Sequence, residues 1–117
     1  MDIKTIESHL HSGKNVKVSL TMAKVISSKK KLIAISHYKS VYVNCIVVSD
    51  EKYGNIYLSS SSPKVFDAQF GDLVSGKILL TGIGEKNERY DAPIKFSKVI
   101  RGKEGEISLQ KGLTVNN

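Results

Sequence analysis

From Asn15 onward the chain alternates. Val16, Val18, Leu20 and Met22 interleave with Lys17, Ser19 and Thr21, the period-two pattern of a strand with one buried face. The alternation breaks at Ala23-Lys24-Val25-Ile26, which predicts a bend or bulge, and "SSKKK" (Ser27 to Lys31) predicts a turn. Two β-like runs follow, Leu32–His37 and Val41–Val48, separated weakly at Lys39-Ser40; the pattern allows one bent strand or two. "DEKYGN" reads as a turn with Gly54 available for positive φ, and "IYLS" as a short strand. Ser62-Pro63 then offers a helix N-cap followed by proline at the first helical position. Phe66 and Phe70 lie four apart, and Gly71 sits where a C-terminal cap belongs. Leu73–Ile83 and Ile94–Ile100 complete the strands. Val74, Ile78 and Leu80 suit the inside of the former, where Gly76 would mark a bend.

The flanks are simpler. Ile3, Ile6 and Leu10 fall on one side of a short N-terminal helix that Gly13 would end. The polar, Gly-containing segment after Arg101 is expected to fray. The organisation expected is a helical segment at 1–14, a β domain at 15–101 and a flexible segment at 102–117, one domain overall.

A short helix between the third and fourth of five strands, with "SDEKYGNIYLSS" and "FGDLVSGKILL" on either side of it, resembles the OB-fold. The first stretch is similar to the Asp-x-x-x-Gly-x-Ile hairpin between strands two and three. The second is similar to the Phe-x-x-Gly-Asp-x-Val start of strand four in the replication-protein and tRNA-binding branches. The resemblance spans Val16 to Ile100. It implies a mainly β, five-stranded Greek-key barrel that holds oligonucleotides or oligosaccharides across the outer face of strands two and three. The loops joining strands one and two and strands four and five would flank that face.

Charge narrows the ligand. Eighteen Lys and Arg against eleven Asp and Glu give a net charge of +7, which favours polyanionic partners. Only Arg89 and Arg101 are arginines, so backbone binding by lysine is expected over bidentate base reading. Such lysine-rich usage also fits an AT-rich genome, viral ones included. Oligosaccharide is disfavoured because Trp, the usual sugar platform, is absent. Unbroken apolar runs reach only four residues, as in Leu32–Ile35, so no membrane span is expected. The N-terminus lacks an apolar signal region, and a lone Cys45 fits a reducing, cytoplasmic setting, or the host cytoplasm for a viral protein.

If Val41, Val43, Cys45 and Val47 point inward, Tyr42 and Asn44 point outward and Tyr38 shares their parity. With Ile56 and Leu58 inward, Tyr57 joins them, and three tyrosines form a base-stacking face. Ile46 and Val48 would then also face outward and need cover, which leaves a protein-docking module or accessory subunit of a nucleic-acid-processing or viral assembly as the alternative. Lys29, Lys30 and Lys31 would occupy the first flanking loop, and Lys86, Arg89 and Tyr90 the second, diluted by Glu85, Glu88 and Asp91. Lys39 and Lys77 would add to the face. A lysine run at a hairpin tip is equally expected of a solvated turn, and tyrosines are common in strands for packing alone.

No catalytic grouping is expected. Cys45 and His37 lack an activating context, and His9 and His11 would not share a helix face. Gly82-x-Gly84 is incomplete as a dinucleotide loop, and Asp50-Glu51 read as turn residues. Neither a metal nor a cofactor is expected. The expectation is a non-enzymatic, largely sequence-independent binder of single-stranded nucleic acid, DNA before RNA.

Overall fold

A computed structural model of the chain describes residues 2–84 and 99–112. Helix α1 (Ile3–His11) leads into strand β1 (Val16–Ser36), followed by β2 (Lys39–Asp50), β3 (Gly54–Ser60), the four-residue helix α2 (Pro63–Phe66), β4 (Leu73–Gly84) and β5 (Val99–Gln110). The fold is mainly β. Its single sheet closes on itself in the order β1-β2-β3-β5-β4, with β4 returning to β1. All neighbours are antiparallel except β3 and β5, which run parallel.

The ring closes because β1 serves two neighbours in turn. Its first half pairs with β4, from Val16–Leu80 to Lys24–Leu73, and its second half pairs with β2, from Lys24–Ser49 to Ser36–Lys39. Lys24 is the hinge and has a partner on each side. Bulges flank it, one between Leu20 and Ala23 and one between Val25 and Ser27. At the first, Met22 takes φ 49°, and its N–H donates to the Ser75 hydroxyl oxygen at 2.9 Å. Each bulge inserts one residue and so reverses which parity faces inward. Val16, Val18 and Leu20 enter the core, then Ala23 and Val25. Met22, expected to follow Leu20 inward, is half exposed.

Opposite β1, the β4–β5 pair accommodates the curvature at Gly76. Its φ is 123°, and a Cβ there would lie 2.8 Å from the Ile107 Cα, so only glycine lets β5 approach.

The core fills the ring with Val18, Ile46, Val48, Ile56, Leu58, Val74, Ile78, Leu80 and Ile100. Helix α1, N-capped by the Asp2 carboxylate on the Thr5 N–H, sets Ile6 and Leu10 into one end. Helix α2 sets Val65 into the other, joined by Ala68. Of the two phenylalanines expected to anchor α2, Phe70 lies beyond the helix and is exposed. Lys24 sits 5.3 Å over its ring, and Lys30 sits 5.0 Å over that of Phe66.

A four-residue helix cannot satisfy its own carbonyls. Asn44, fully buried on β2, supplies the donor: its Nδ2 lies 3.0–3.1 Å from the carbonyl oxygens of Val65, Phe66 and Ala68. The Ser28 hydroxyl donates to the Ala68 carbonyl at 2.8 Å. The serine run is engaged as well. Ser60 and Ser62 both donate to the Glu104 carboxylate, which ties the start of α2 to β5.

The turn into β4 depends on Asp72, whose carboxylate accepts from the Gln69 N–H at 2.8 Å, the Gly112 N–H at 3.0 Å and Lys111 Nζ at 3.2 Å. Burial opposes its ionisation, but the Gly112 and Gln69 N–H groups and Lys111 outweigh that and hold its pKa below the ordinary 3.8.

Several expectations are corrected. Ser27–Lys31 is no turn, since β1 continues through it; each residue's ladder partner lies on β2. The chain reverses instead at His37-Tyr38, which makes the 32–48 region the end of one strand and most of the next. The segment from Arg101 that was expected to fray is strand to Gln110, paired with β4 and, through Gly102, with β3. Residues 94–98 of the last expected strand lie outside the described residues.

Two predictions follow from these polar anchors. Asn44→Leu should lower unfolding free energy by about 1–3 kcal/mol, because it strands buried carbonyls; the shift in urea midpoint measures it. Asp72 contributes stability above its unfolded pKa that is lost as pH falls through the lower folded value. Asp72→Asn should therefore destabilise the protein at pH 7 and flatten its stability profile below pH 3.8, read from thermal melts across that range.

Candidate nucleic-acid interface

The outer face of the ring across β1, β2, β3 and β5 is set by register. Ile46–Leu58 and Val48–Ile56 are core pairs, so the intervening Val47–Tyr57 pair faces outward. Cys45 and Val43 share that side, and across β2 they pair with Lys29 and Lys31. On the other flank Tyr57 lies in register with Arg101 of β5. Tyr57, Lys29, Lys31 and Arg101 thus belong to one side of the sheet, with the buried Val43, Cys45 and Val47 of β2 between them.

The β2 parity expected from the sequence is reversed. Asn44, Ile46 and Val48 point inward, whereas Val43, Cys45 and Val47 point outward. Tyr42 has the parity of Asn44 and lies on the opposite side of β2 from Tyr57. Tyr38 sits in the β1–β2 turn, almost wholly exposed. The three tyrosines therefore do not form one stacking face. Ile46 and Val48, whose expected outward parity suggested a docking module, are fully buried.

The lysine triplet splits in the same way. Lys30, between Lys29 and Lys31 on β1, pairs with Asn44 and turns to the α2 side, over Phe66. Lys39 opens β2 beside the turn. Lys77 faces outward on β4 across from Ser19 of β1. There it lines, with Lys17, Ile6 and Tyr53, an open groove of about 410 Å³. Lys86, Arg89 and Tyr90 lie outside the described residues.

Tyr57 does not stand alone. It packs with Ile26 against the buried Val47 and Val99, a small apolar cluster on the outside of the ring. Ile26 is the extra residue of the second β1 bulge, so that bulge builds the platform beneath Tyr57. Arg101 lies across Gly82: a Cβ at that position would be 3.3 Å from its guanidinium. Lys103, two residues on, is exposed with the same parity. With strands about 4.8 Å apart, Lys29 lies about 12 Å from Tyr57.

Arg101 and Lys103 escaped the sequence reading because their segment was expected to fray. The legible signal was the two-residue spacing of Ile107 and Leu109 beyond Ile100, diluted by glycines and glutamates. Among the described residues no group of three or more His, Cys, Asp or Glu side chains could hold a metal ion, and no helix is long and apolar enough to cross a membrane. No protein family, curated protein or solved structure gave a significant match to this chain.

Proposed function

We propose that this chain is an OB-type binder of single-stranded nucleic acid whose site is the outer face around Tyr57. The observation that carries the reading is the placement of Tyr57 in register with Arg101 on one side and, across β2, on the same face as Lys29 and Lys31. A strand crossing β2 and β3 would stack a base on Tyr57 and lay its phosphates against the flanking cations. The strand order β1-β2-β3-β5-β4, the shared β1 and the helix before β4 support the OB assignment.

Lysine meets phosphate as a point charge and lacks the planar fork that reads base edges bidentately, so little sequence preference is expected. Among the described residues Arg101, held across Gly82, is the one cation on this face with a planar group that could also stack. The contacts proposed do not involve a 2′-hydroxyl, so DNA is the first ligand to test and RNA the competitor.

Fluorescence anisotropy with labelled oligo-dT, from low to physiological salt, tests the proposal. Affinity should fall steeply with salt, and duplex should compete poorly; absence of binding at low salt would overturn it. Replacing Lys29 and Lys31 together by Ala should reduce the log–log salt slope by about 1.4, at ~0.7 per phosphate contact. Lys30→Ala, facing α2, should leave the slope unchanged. Tyr57→Ala should cost about 1–3 kcal/mol of binding, while Tyr42→Ala should cost little on a plain single strand. Equal losses for both tyrosines would contradict the face assigned here.

A further inference from the structure

Beyond Asn44, where pairing with β3 stops, the ends of β1 and β2 continue as a two-stranded ribbon from Lys31–Ser36 to Lys39–Val43. At about 3.3 Å per residue it extends about 20 Å. It is apolar on both sides. Leu32 and Tyr42 pair on one side, and Ile33 and Val41 on the other, with Ile35 and Tyr38 near the tip. Leu32, Ile35, Tyr38 and Tyr42 are each more than half exposed. An isolated two-stranded ribbon gains little from itself, and a ligand lying on the ring face can cover only the Ile33–Val41 side.

Charge selects the occupant of the other side. Between Ser8 and Ser49 the chain carries seven lysines and no carboxylate, whereas elsewhere eleven Lys and Arg face eleven Asp and Glu. The stretch that includes this ribbon thus has a formal charge equal to the net +7 of the whole sequence, with Lys30 at the ribbon's base and Lys39 beside its tip. Two copies of such a ribbon repel. A polyanion with apolar base faces complements it. A two-stranded ribbon is also narrow enough for a duplex groove, and apolar side chains on such elements wedge between base steps.

We infer that the ribbon engages duplex at a single-strand/duplex junction, so that the preferred ligand is a tailed duplex. This rests on the single-strand reading of the ring face. The bound strand lies along the Ile33–Val41 side, and the Leu32–Tyr42 side and Tyr38 meet the first base pairs.

The test compares oligo-dT of about twelve nucleotides, a hairpin duplex carrying the same tail and the blunt hairpin, by anisotropy at physiological salt. The tailed duplex should bind at least about tenfold tighter than the tail alone. The double variant Leu32→Ser/Tyr42→Ser, altered only at exposed positions, should erase that preference while leaving affinity for the tail within about twofold. 2-Aminopurine at the first base pair should brighten on binding in the wild type only. Equal affinity for tail and tailed duplex, or a preference that survives the double variant, would overturn the junction inference alone. Failure to bind either would overturn the single-strand reading with it. Sedimentation showing a dimer that the double variant dissolves would assign the ribbon to a second copy instead.

Discussion

Everything in this fold depends on β1 belonging to both halves of the sheet. A closed five-stranded sheet needs one strand that can leave one partner for another without losing its ladder, and Lys24 is the residue with both partners at once. The change of direction requires the two bulges beside it, and the bulges decide where every later side chain of β1 points. Because Ile26 is the extra residue, Lys29 and Lys31 face outward and Lys30 faces α2. Because it is extra, Ile26 is also free to join Val47, Val99 and Tyr57 outside the core. The closure of the ring and the character of its outer face are thus consequences of the same local insertion.

Polar groups hold the two ends of β4 and α2 where apolar packing alone would leave backbone groups unpaired. Asn44 takes the place of a core residue so that the carbonyls of a helix too short to satisfy itself have donors. Asp72 joins the start of β4 to the residues just after β5. Glu104 collects the serines ahead of α2. Each is buried or half-buried and hydrogen-bonded, as polar groups in such positions must be. Between them they fix α2 and the β5 strand, and β5 in turn presents Arg101 beside Tyr57.

The element order was legible in the sequence because helix and strand periods differ and the turns at Gly54 and Pro63 are chemically marked. Gly76 was legible as a bend for the same reason. Side-chain direction on β2 was not. Val41 through Val48 is apolar at both parities, and the residue that seemed to break the tie, Asn44, is polar for a buried reason. Reading it as an outward residue inverted the strand and gathered Tyr42 with Tyr57. The lysine triplet misled in a similar way: a run of charge resembles a turn, yet a ladder continues through it when only one side of the strand meets the core. Beyond Arg101 the glycines concealed a strand. Gly102 and Gly105 are there because neighbouring strands leave little room: a Cβ at Gly105 would lie 2.7 Å from the Lys77 carbonyl oxygen.

A single strand is proposed to lie on the outer face shared by β1, β2, β3 and β5. Titrating unlabelled oligo-dT into ¹⁵N-labelled protein, with amide shifts followed residue by residue, tests it most directly. The largest perturbations are expected at Lys29, Lys31, Tyr57 and Arg101, with the amides of α1 and α2 nearly unmoved. Perturbations concentrated at the helices or along the Lys17–Lys77 groove, with Tyr57 and Arg101 unmoved, would contradict it.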